Sequence, residues 1–109
     1  MLEVTFCRDS HDRLSSLFAT GHADAAEPGE DVVCAAVSAI LQAARLGLEA
    51  HARIQLEVVQ RAGDMSLQWP QAARDDASVQ AIVATAELAI RQIAKQYPAH
   101  VRALTRSQT

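Results

Sequence analysis

Aromatic residues are scarce in this chain of 109: one Trp, one Tyr and two Phe, 4% of a sequence that is half hydrophobic. A core must therefore be assembled from Ala, Val, Leu and Ile, with Phe6, Phe18, Trp69 and Tyr97 as its few large fillers. Such a core is thin, and pairing with a second copy helps it. Cysteine is scarce as well. Cys7 and Cys34 stand in no CxxC and at no Cys/His ligand spacing, which argues against a disulfide framework, a metal or another cofactor. Lys and Arg form no run and the net charge is -3, so generic nucleic-acid binding is not expected. Neither a signal peptide nor a hydrophobic run of spanning length stands out. The chain reads as cytoplasmic, with reduced thiols and no membrane partner. No repeat or low-complexity segment is present, and the length suits a single domain over residues 1–109.

Alternation supplies the strands. Leu2, Val4 and Phe6 alternate with Glu3, Thr5 and Cys7, and after the turn residues Ser10-His11-Asp12 a second, less regular strand covers residues 14–20. Together they predict a hairpin ending at Gly21. Ile54, Leu56 and Val58 alternate with Arg53, Gln55 and Glu57, and Met65, Leu67 and Trp69 with Ser66 and Gln68. Ala62-Gly63-Asp64 joins these runs into a second hairpin, closed by Pro70.

Between the hairpins, a stretch of about twenty residues from Asp31 has no Pro and one Gly, and reads as a helix opened by Pro28-Gly29. A second helix starts at one of Asp75, Asp76 or Ser78 and carries the apolar stripe Val79, Ile82, Val83, Ala86, Ala89, Ile90, Ile93 and Tyr97. Pro98 stops it. A short extended tail follows at Val101 to Leu104. This order predicts an α+β fold: a two-layer open sandwich with two helices packed on a mostly antiparallel sheet of four to five strands.

The chemistry is concentrated between Gly21 and Ser38. Gly21-His22-Ala23 offers a base, and Gly29-Glu30-Asp31-Val32-Val33-Cys34-Ala35-Ala36-Val37-Ser38 offers a thiol at the start of a helix. A thiol is nucleophilic as its thiolate, which a helix N-terminus and a histidine both favour. With the helix starting at Asp31, Cys34 falls in its first turn, Asp31 about 60° to one side and Ser38 about 40° to the other. The three form a polar stripe at the positive end of an apolar helix. The same residues admit a plainer reading: Cys34 as a small core residue, Asp31 as a helix cap, Ser38 bonding back to its own helix carbonyl.

In the connecting loop, Asp24, Glu27 and Glu30 precede Asp31, either as a solvated segment or as an attraction for a basic substrate tail. Gly21 and Gly29 suit the special backbone conformations of a lid. Cys7 reads as a structural strand thiol. His11, His51 and His100 have no partner at ligand or catalytic spacing, and a helix C-terminus accounts for His51.

The whole string, from Gly-His-Ala through an acidic loop to Gly-x-Asp-Val-Val-Cys-Ala-Ala-Val-Ser and a long Ala/Leu-rich helix, resembles the bacterial ribosomal-processing cysteine proteases, the Prp family. The resemblance extends over most of the chain, from the first strand pair to the helix closing on Gln96, Tyr97 and Pro98. It implies His22 as catalytic base and Cys34 as nucleophile, with Asp31 and Ser38 at the other polar positions of the motif. Asp31 then either orients His22 or caps the helix. The family often carries an aromatic after Gly-His-Ala, where this chain has Asp24-Ala25-Ala26-Glu27-Pro28.

By the same resemblance the substrate is the N-terminal extension of a large-subunit ribosomal protein, removed during ribosome assembly. Cleavage follows a short apolar, Phe-rich stretch ending in Ala, with basic residues beyond it. The enzyme acts as a homodimer and needs no cofactor. Two other classes remain: a non-catalytic ribosome-assembly interaction module and a redox-sensing thiol protein.

Overall fold

The computed structural model describes residues 1–21 and 30–107, with the backbone alone at Glu30 and Asp31. Alternation at the start of the chain becomes β1 (Leu2–Arg8) and β2 (Leu14–Thr20), antiparallel partners with Val4 opposite Ala19 and Phe6 opposite Leu17. Side chains two apart share a face of the pleat. Leu2, Val4, Phe6, Leu17 and Ala19 therefore form one buried apolar surface.

Helix α1 (Glu30–Leu46) continues into a π-helical turn at Gly47–His51, followed by β3 (Glu57–Arg61), β4 (Asp64–Gln68) and a 3-10 turn at Gln71–Ala73. Helix α2 (Ala77–Gln96) and β5 (Val101–Ser107) complete the order. The five-stranded sheet runs β3-β4-β2-β1-β5, antiparallel except where β5 lies parallel to β1. Val33, Val37 and Leu41 of α1 and Val79, Val83 and Ile90 of α2 close the core over the sheet. The α+β open sandwich, two helices on a mostly antiparallel sheet, is as the sequence implies.

Local chemistry explains the element ends. The Asp76 carboxylate caps α2 by accepting the N–H groups of Ser78 and Val79, leaving fewer of the helix's first donors unsatisfied. Trp69, almost fully buried, donates its indole N–H to the Leu14 carbonyl at 2.9 Å and fastens the end of β4 to β2.

Several expectations need correction. Pairing in β3 begins only at Glu57, because the chain leaves α1 through a left-handed Arg53 (φ 54°) with the Ile54 N–H still bonded to the Leu48 carbonyl. Ile54 and Leu56 pack against the core from outside the strand. Tyr97 is no core filler: α2 ends there, and the residue is 48% exposed. Phe18 is only half-buried, since it follows Leu17 and points to the opposite face, where the Arg106 guanidinium stacks 5.2 Å from its ring. The extended tail is a full edge strand reaching Ser107. The segment Val32–His51 does reach the length and hydropathy of a membrane span; Val33, Val37, Leu41 and Leu48 within it are core residues.

The helical stripe also conceals a charge. Glu87 is buried on α2, where Arg8 reaches it at 3.0 Å and Arg91 makes two hydrogen bonds to its other oxygen. This pairing ties α2 to β1 and gives the buried carboxylate two guanidinium partners.

At the β1–β2 turn, Asp9 accepts the N–H groups of His11 and Arg13 on one oxygen, and Arg13 Nε and Arg74 Nη1 on the other, at 2.9–3.1 Å. Burial works to raise the Asp9 pKa, but the backbone donors of Arg13 and His11 and the guanidiniums of Arg74 and Arg13 outweigh it. The carboxyl is held well below its ordinary value of 3.8. With the folded value depressed, Asp9 contributes its stabilisation fully above pH 3.8 and loses it as pH falls further. Urea unfolding of wild type and Asp9→Asn should therefore show a stability gap that is constant near neutrality and shrinks below that value. A gap unchanged down to pH 2 would contradict the assignment.

Candidate active site

Helix α1 begins at Glu30, so Cys34 is its fifth residue, one residue further in than a start at Asp31 implies. The shift suits the chemistry. Helical Cβ atoms tilt toward the N-terminus, which carries the thiol back over the first turn. The first four N–H groups of a helix lack intrahelical acceptors and point to that end. An anion near the thiol thus meets the positive pole of the helix.

Cys34 is half-buried and packs against the core, while its outer side opens on a cleft of about 250 Å³. The cleft lies between α1 and the sheet. Its floor is apolar, from Leu2, Ala19, Val37, Leu41 and Met65. Ser38, one turn along α1 from Cys34, is exposed on the same wall. The opposite wall is the tip of the β3–β4 hairpin, with Gln60, Arg61, Gly63 and Asp64.

Gly21 borders this cleft too. Its backbone is left-handed at φ 102°, and its N–H donates to the Gly63 carbonyl at 2.9 Å. A Cβ at this position would collide with the Met1 carbonyl oxygen. Only glycine therefore lets the chain leave β2 in this direction. The chain leaves toward His22, and Gly21 sets where that residue starts.

His22 and Gly29 lie outside the described residues, as does the side chain of Asp31. The structure therefore brings together Gly21, Cys34 and Ser38, and gives no separation between His22 and Cys34. Cys7 is 1% exposed, away from the cleft and forming no disulfide, which is the structural role expected of it. Among the described residues no three of His, Cys, Asp and Glu cluster so as to hold a metal ion.

Gln42 and the β3–β4 tip were not expected at the site. Gln42 continues the line Cys34, Ser38, Gln42 at helical spacing and can be found from it. The contribution of Gln60, Arg61 and Asp64 depends on tertiary packing that no local pattern announces.

A helix start bearing a cysteine beside an open, apolar-floored cleft is the arrangement that thiol-dependent hydrolases use. The chain belongs to the cysteine protease Prp family, whose family model matches residues 1–102, and it is a cysteine protease by that membership. Among solved structures it is similar to SMU.848 from Streptococcus mutans, at 30% identity and a TM-score of 0.89 over 99% of each chain. Two structures of the essential ribosomal processing protease Prp from Staphylococcus aureus share the fold at 20% identity. One is in complex with a substrate peptide (TM-score 0.88), the other with a covalently linked product peptide (0.85), each covering 97% of this chain and 100% of theirs. No curated protein matches the chain.

Proposed function

We propose that this chain is a single-domain cytoplasmic endopeptidase that removes the N-terminal extension of a large-subunit ribosomal protein during ribosome assembly, with His22 as base and Cys34 as nucleophile. The observation that carries the reading is the shared cleft: Cys34 forms one wall, and Gly21, the residue before His22, borders it. The apolar floor supports a substrate with apolar residues beside the scissile bond. The Staphylococcus aureus relative is itself described as a ribosomal processing protease.

The chemistry then runs in two halves. His22 takes the Cys34 proton as Sγ attacks the peptide carbonyl carbon, and the oxyanion draws on N–H groups at the start of α1. The imidazolium returns that proton to the departing amine as the C–N bond breaks. Water, deprotonated by His22, attacks the resulting thioester; the acid leaves and the thiol is restored. Asp31 supports this by orienting His22 or by capping α1, and Ser38 borders the thiol from the next turn. No cofactor, nucleic acid or membrane takes part.

A homodimer fits the same picture. The outer groove between α1 and α2 is apolar, lined by Ile40, Ala43, Ile82 and Ala89. A second copy of this surface would cover it. The reading is tested by mass spectrometry of a synthetic peptide spanning the extension junction. Cleavage at one bond after the apolar stretch supports it, and an intact peptide counts against it.

A further inference from the structure

The wall of the cleft along α1 is formed by Cys34, Val37, Ser38, Leu41 and Gln42, and it stops there. At that point the two walls join. The Gln60 side-chain oxygen on β3 accepts from Gln42 Nε2 at 3.2 Å and from Arg45 Nη1 at 3.0 Å. Gln42 also reaches the Met65 sulfur of β4 at 3.9 Å, and Arg45 is braced by Glu49 at 3.0 Å. One acceptor thus receives two donors from successive turns of α1. The bridge spans from helix to hairpin tip and bounds the cleft at the end away from Cys34.

We infer that Gln42 and Gln60 close the substrate cleft and so limit how many peptide residues it holds along α1. The inference rests on the protease reading, and it concerns substrate length, not the identity of the catalytic groups. From Cys34 to Gln42 the helix advances about 12 Å. An extended peptide covers that distance in about three to four residues. A residue beyond the bridge lies outside the cleft and gains little from it.

Gln60 is a positioning residue in this scheme, acting through the width and length of the cleft. Its working group is the acceptor oxygen. Gln60→Glu keeps that oxygen facing Arg45, whereas Gln60→Met preserves length and loses it. All these side chains lie at the rim, so the variants remain folded, and circular dichroism checks this.

The test uses fluorescein-labelled junction peptides lengthened one residue at a time on either side of the scissile bond. Their affinity is read by anisotropy on Cys34→Ala protein, and kcat/KM on the protein with Cys34 intact. With Gln60 in place, the gain per added residue should end after about three to four residues on one side. In Gln60→Met and in Gln42→Ala the next residue should add a further gain of between about 2-fold and 10-fold, the worth of one net hydrogen bond. Gln60→Glu should restore the original limit. The same length profile in all four proteins would overturn the inference even if every peptide is cut, as would an absence of binding at any length. Failure of the protease reading itself shows differently, as uncut peptides with Cys34 intact.

Discussion

Cys34→Ala should abolish cleavage of the junction peptide and His22→Ala should reduce it severely, with both variants folded. Without the sulfur no thioester forms, so the covalent route is closed rather than slowed. Without the imidazole the thiol loses the group that removes its proton and later protonates the leaving amine, which is worth about 10²–10⁴-fold for a positioned base. Groups that act as one unit cost about as much singly as together. The double variant should therefore be no slower than Cys34→Ala. Cys34 is half-buried at the rim of the core, so removing one sulfur atom there costs stability on the order of 1 kcal/mol. Thermal melts alongside peptide kinetics check both halves. Wild-type turnover in Cys34→Ala, with enzyme free of contaminating protease, would leave the non-catalytic interaction module as the better account.

Gly21→Ala should be nearly as damaging, for a backbone reason. At φ 102° an L-residue is strained wherever it stands, and here the added methyl group also meets the Met1 carbonyl oxygen. The strain costs about 1–3 kcal/mol. The chain can relieve it by moving away from Met1 or by breaking the hydrogen bond to the Gly63 carbonyl. Either movement shifts the point from which His22 departs. Displacing a reacting group by about 1 Å costs about 100-fold in rate. The expected result is a lower melting temperature together with kcat reduced on that scale, and alkylation of Cys34 slowed in parallel. Unchanged kcat in a protein of unchanged stability would mean that this turn does not aim the base.

Much of this fold is legible in the sequence, and the exceptions have physical causes. The β1–β2 pair is legible because Leu2, Val4 and Phe6 alternate on a sheet covered on one face, and α2 because its cap and its apolar stripe agree. Ile54 and Leu56 imitate strand alternation while they sit in the exit from α1, where Arg53 and the bond to the Leu48 carbonyl decide the path. Glu87 breaks the apolar pattern of α2, and its burial is offset by Arg91 one turn along the helix together with Arg8, 79 positions away. The site divides in the same way. Cys34 and Ser38 follow from helical spacing, whereas Gln60, Arg61 and Asp64 reach the cleft through the packing of a hairpin tip against Gly21 and α1.

The central claim, that a helix start and His22 together make Cys34 a nucleophile, is tested most directly by timed alkylation with peptide mapping. Folded protein is treated with iodoacetamide near neutral pH, in the wild type and in His22→Ala. The account predicts that Cys34 is modified well before the buried Cys7, and that the Cys34 rate falls when His22 is removed. Modification of Cys7 first, or a Cys34 rate indifferent to His22, would contradict it.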